Sequence, residues 1–127
     1  MKKRLNVLAL LCDPRTQSIH SYVKQLDSDK TLADMQHIIN CELVTCTEIE
    51  VEGKYYEVWS DDEALLKLNP VPNLYVCDGL IIFGNLLFAK SDDDGQTIGL
   101  SIEDIRTLKK YTQRQFYKLT HFLKYWG

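Results

Sequence analysis

No catalytic or ligand-binding signature is spelled out in this sequence: no glycine loop for phosphate, no paired metal ligands and no nucleophile set beside a base. It has no apolar run long enough for a membrane helix, so no membrane contact and a cytoplasmic location are expected. The basic start Lys2-Lys3-Arg4 followed by Asn6 to Cys12 imitates a signal peptide, but the apolar stretch is short and ends at Asp13-Pro14, so it reads as a first strand. Cys12, Cys41, Cys46 and Cys77 lack the close pairing of zinc or redox motifs and are expected as buried free thiols. His20, His37 and His121 fall on different elements without a Cys or Asp partner at ligand or triad spacing; no catalytic residue, metal or cofactor is expected. The acidic "SDDDG" lacks the length and closing glutamate of a calcium loop and reads as a solvated hairpin tip.

What is present suits one domain over residues 1–127. A chain that is 45% hydrophobic and 26% charged, with net charge −3, is an ordinary globule able to bury a core. "SIHSYVKQL" alternates as a second strand, paired with the first. Leu32, Met35, Ile38 and Ile39 share one helical face, Thr31 with Asp34 resembles a capping pair, and Asn40 suits a left-handed stop. A hairpin turning at Glu52-Gly53 follows; a two-residue loop places Leu43, Ile49, Val51, Tyr56 and Val58 on one face and Glu42, Glu48, Glu50, Glu52 and Glu57 outward, whereas a three-residue loop reverses the pairing. "DDEALLKL" makes a turn or two of helix before two prolines stop it. Leu65, Leu66, Leu68 and Val71 are expected to close one end of the core, with Asn73 bonding the turn backbone. "LYVCDGLIIFGNLLFAK" reads as one or two strands, with a turn at Asp78-Gly79, a bulge at Gly84 and Leu80 to Phe88 as a central strand covered on both faces; "TIGL" is a short partner. Ser101 with Asp104 opens a last helix whose apolar stripe runs through Ile105, Leu108, Thr112, Phe116, Leu119, Phe122 and Trp126, with a break expected near Thr112-Gln113. The fold class expected is α+β, a mostly antiparallel sheet of five or six strands with two main helices on one face.

The succession "LADMQHIINCELV", "WSDDEALLKLNPVPN" and "LIIFGNLLFAKSDDDG" before a terminal helix resembles a family of short proteins of unknown function, carried mainly by phages, plasmids and integrative elements of Gram-positive bacteria. Asp62 and Glu63 stand at that family's acidic positions, Leu66, Leu68 and Pro70 or Pro72 at its leucine-proline positions, Asn73 at the closing asparagine and Gly84 at the strand glycine. Asn40 stands where glycine is common, and Ala64 or a neighbour replaces the middle glycine of the acidic turn, which suits a short helix instead. The resemblance implies an α+β domain and an origin on mobile DNA, with no settled activity, catalytic residue or cofactor.

Charge is the remaining signal. Nine acidic residues lie between Asp34 and Glu63 against the single Lys54, whereas after Asp104 the charged residues are all basic. Arg106, Lys110, Arg114 and Lys118 recur every four positions, a slowly drifting stripe. The stripe can simply be a solvated face; it can collect phosphates of a nucleic acid or an anionic small molecule, with Tyr111, Tyr117 and Tyr125 near enough to stack on bases. The outward Glu48, Glu50 and Glu57 can instead imitate a nucleic-acid backbone. The expected function is a non-enzymatic binding protein of a phage or mobile element, counteracting host defence through charge-complementary contact with a host protein in the bacterial cytoplasm. The alternative is a nucleotide-like ligand or nucleic-acid module built on the basic helix.

Overall fold

Strict alternation along the first strand, β1 (Arg4–Cys12), sorts the interior into two cores: Val7 and Ala9 enter one, Leu8 and Leu10 the other. A computed structural model describes residues 3–13, 15, 16, 18–67, 70–77 and 79–126, for 125 and 126 the backbone alone. Expectations placed on Lys2, Pro14, Leu68, Asp78 and the side chains of Tyr125 and Trp126 lie outside the described residues.

The chain continues through β2 (Ile19–Asp27), α1 (Thr31–Ile39), β3 (Val44–Val51), β4 (Lys54–Asp61), a single 3-10 turn (Ala64–Leu66), β5 (Pro72–Cys77), β6 (Leu80–Phe83), β7 (Leu86–Ser91), β8 (Thr97–Ile98) and α2 (Ile102–Trp126). The main sheet runs β2-β1-β7-β4-β3 with β8 on the end of β7, every pairing antiparallel; β5 and β6 form a separate hairpin. The fold is therefore α+β with a six-stranded antiparallel sheet. No helix among the described residues is long and apolar enough to cross a membrane.

The two helices do not share a face. Met35 and Ile39 of α1 pack with Val7, Ala9, Leu87 and Ala89, while Leu108 and Tyr111 of α2 pack with Leu8, Leu10, Val58 and Phe88. The reason lies in the central strands: Leu86, Leu87, Phe88 and Ala89 are all buried, and a strand apolar on both sides needs a cover on each. The hairpin β5–β6 shares the α2 side, supplying Leu74 and Ile82.

Several local expectations also shift. The central strand begins at Leu86 because the chain turns at Gly84, whose φ of 80° favours glycine and whose N–H donates to Val71 O at 2.8 Å. Leu65 and Leu66 are 66% and 81% exposed and close no core; Ala64 is the buried member of that turn. Leu43 is exposed ahead of β3. Asp34 does not cap α1 but accepts the Asp27 N–H at 2.7 Å, whereas Asn40 takes the left-handed stop at φ 63°. Cys46 and Cys77 are exposed free thiols, and Cys12 and Cys41 are half-buried.

The β3–β4 turn has two residues, pairing Val51 with Lys54, so Ile49, Val51, Tyr56 and Val58 do point to one core. Glu52 and Gly53 both have positive φ, 52° and 79°, the mirror-image turn that matches strand twist. Glutamate is poorly suited to that backbone and asparagine well suited. Glu52→Asn is therefore expected to raise stability by about 0.5–1 kcal/mol in urea unfolding.

Candidate binding surface on the terminal helix

The start of α2 is fixed by a reciprocal cap. Ser101 N–H donates to Asp104 Oδ2 at 2.8 Å and Asp104 N–H donates to Ser101 Oγ at 3.0 Å. The same carboxylate, fully buried, accepts the Tyr56 hydroxyl on Oδ1 at 2.8 Å and the Lys90 ammonium on Oδ2 at 2.7 Å, with Lys54 at 3.9 Å. Burial opposes ionisation of Asp104, but the bonds from Lys90, Ser101 and Tyr56 outweigh it and hold the carboxyl well below the usual carboxylate range. Burial, and then the bond to Asp104, push the Tyr56 phenol up.

Further along, α2 buries Asp104, Leu108, Tyr111, Gln115 and Leu119, spaced 4-3-4-4. Tyr111 meets Phe88 edge to face with centroids 6.4 Å apart. Gln115 Nε2 donates to the carbonyls of Tyr75 (2.6 Å) and Val76 (3.2 Å), so a polar residue holds the stripe position expected of an apolar one. Phe116, expected inside, is 56% exposed. The helix is continuous through Thr112-Gln113, where the Thr112 hydroxyl donates to Lys109 O within the same helix.

With that stripe inward, Arg106, Lys110, Arg114 and Lys118 are all exposed, joined by Lys109 and Tyr117. None of these bases forms an ion pair among the described residues, where the salt bridges are Lys54–Asp104, Lys67–Asp61 and Lys90–Asp104. Tyr111, one of three tyrosines expected near bases, is buried; Tyr117 is 75% exposed.

The acidic set lies across the sheet. Ile49, Val51, Tyr56 and Val58 face the α2 core, so Glu48, Glu50 and Glu57 point to the opposite side. They are not equivalent there. Glu57 is half-buried and accepts from Trp59 Nε1 (3.2 Å) and from the Ser91 hydroxyl (2.9 Å), so it is a structural acceptor instead of an outward charge. Glu48 and Glu50 are exposed, and a hydrogen bond with Glu50 raises the Tyr55 phenol. The cationic helix and the carboxylates thus stay separate instead of neutralising one another.

Among the described residues no three His, Cys, Asp or Glu side chains come together to hold a metal. Asp92 Oδ1 accepts the N–H groups of Asp94 (3.0 Å) and Gln96 (2.9 Å), binding the "SDDDG" tip to itself. Burial raises the thiols of Cys12 and Cys41, and partial shielding of the otherwise exposed Cys46, with the Glu57 and Glu48 carboxylates, pushes it up to about 11, so these three are protonated at neutral pH and weakly nucleophilic.

Fold and surface together define a class: a small α+β domain with a doubly covered antiparallel sheet and one helix whose exposed cationic face makes no ion pair among the described residues. Within that class the chain belongs to the family described as Domain of unknown function (DUF3846), whose family model matches residues 7–115, from β1 to Gln115. Neither the curated proteins nor the solved structures contain a match to the chain.

Proposed function

We propose that this is a non-enzymatic binding protein that engages an acidic surface of a partner protein through the outer face of α2. The observation that carries the reading is that Arg106, Lys110, Arg114 and Lys118 stand exposed without acidic partners among the described residues, on the far side of the sheet from Glu48 and Glu50. Phe116 and Tyr117 add exposed aromatic surface beside arginine, the composition enriched where proteins meet. Taken with the resemblance to proteins of mobile elements, the partner is a host protein in the bacterial cytoplasm, and the effect of binding is to blunt host defence. The acidic hairpin is the weaker surface, because Glu57 is engaged internally and net charge is only −3.

The test is capture of host proteins on immobilised wild type and on a Lys110→Glu/Arg114→Glu variant, at low and high salt. Reversing two charges on one face is expected to weaken capture about tenfold or more, and raising salt to weaken the wild type similarly. A Glu48→Lys/Glu50→Lys variant is expected to behave as wild type. Salt-independent capture, or loss only in the glutamate variant, overturns the assignment. Displacement of the captured protein by a short DNA duplex transfers the surface to nucleic acid.

A further inference from the structure

A groove of about 370 Å³ opens where α2 passes the ends of β1, β2 and β5, within the range of small-ligand clefts, about 300–1,000 Å³. Its walls include Leu10, Ile19, Leu74 and Phe116, with Thr112 and Gln113 on the helix side. Asn73, 5% exposed, also lines it.

Asn73 is the unusual member. Its Nδ2 donates to Leu10 O at 3.1 Å and Gly84 O at 2.8 Å, with Cys12 Sγ at 3.7 Å. Both amide hydrogens are therefore committed, and a flipped amide would set its oxygen against two carbonyl oxygens. The orientation leaves Oδ1 as a buried acceptor with no hydrogen-bond partner among the described residues. An unpaired buried acceptor costs about 1–3 kcal/mol, which a donor arriving from the groove would recover.

We propose that this groove is a binding site for a small planar heteroaromatic ring bearing an N–H donor, the chemistry of a nucleobase. The donor meets Asn73 Oδ1, the ring lies against Phe116 and Tyr117, and the apolar walls exclude water. Oδ1 is closed to solvent in the unliganded chain, so a donor reaches it only when the groove lining shifts. The site uses no charged group of its own, although Phe116 and Tyr117 also flank the cationic face.

The experiment is a titration of isotopically labelled protein followed by amide NMR, with uracil and adenine as probes and 1,3-dimethyluracil as the ring without N–H. Uracil or adenine is expected to shift the Asn73 side-chain amide with Thr112 and Gln113, with a dissociation constant on the order of 1 mM. Dimethyluracil is expected to bind about tenfold more weakly, the worth of one good hydrogen bond. Phe116→Ala, at an exposed position that should leave the fold intact, is expected to weaken uracil or adenine several-fold. Asn73→Leu removes three contacts and can fail to fold, so the methylated probe and Phe116→Ala decide the matter. Equal binding of uracil and dimethyluracil, an unaffected Phe116→Ala variant, or no shift with either N–H ring at about 10 mM each overturn the proposal.

Discussion

Replacing Asp104 with alanine is expected to destabilise the protein by about 3–5 kcal/mol, a large share of a domain's stability. The carboxylate is fully buried and is the common acceptor for Tyr56, Lys90 and Ser101, so its removal strands an ammonium, a phenol and a helix-terminal N–H together. Tyr56→Phe removes one of these bonds and is expected to cost only about 1–2 kcal/mol. The carboxyl is held below its ordinary range in the folded chain, so it contributes stability that is fully present above the unfolded value near 4 and is lost as pH falls below it. Urea unfolding from pH 7 down to about 3 should show the wild type losing stability at the acid end, with a smaller loss in Asp104→Asn. Identical pH profiles for the two would mean that Asp104 does not sustain this network as a charged group.

The contrast between the two ends of α2 shows what could be read from sequence and what could not. The Ser101/Asp104 cap was legible because both partners lie three residues apart on one element. The remainder of the Asp104 network was not: Tyr56 comes from β4 and Lys90 from β7, and nothing in their local pattern points at a common acid. The same limit explains the helix stripe. Hydrophobicity favoured Phe116 over Gln115, yet Gln115 turns inward because the carbonyls of Tyr75 and Val76, at an irregular register of the β5–β6 hairpin, need a donor. Period-two alternation located most strands, and the two-residue turn at Glu52-Gly53 set which glutamates point away from α2. The exposed bases were legible as a four-residue repeat, because side chains so spaced leave a helix on one side whatever it packs against. That Glu57 is an internal acceptor was hidden, since Ser91 reaches it from a strand far along the chain.

The separation of the charged surfaces rests on the sheet between the helices, and adjacent residues of β7 test that arrangement. Phe88 and Leu87 are both fully buried but point to opposite cores, Phe88 toward Leu108 and Tyr111 of α2, Leu87 toward Met35 and Ile39 of α1. Truncation to alanine is expected to cost about 3–5 kcal/mol for Phe88 and about 2–5 kcal/mol for Leu87, through lost burial and the cavity left behind. The two losses should differ in where they fall. Hydrogen exchange is expected to speed up in α2 for Phe88→Ala and in α1 for Leu87→Ala, because each cavity undermines the helix that covers it. Any charge-dependent binding through α2 should accordingly weaken more in Phe88→Ala than in Leu87→Ala at equal global stability, since only the former loosens the support of Arg106, Lys110 and Arg114. Equal exchange in both helices for both variants would mean that the two covers unfold as one unit, and the sheet would then not insulate the cationic surface from the other face.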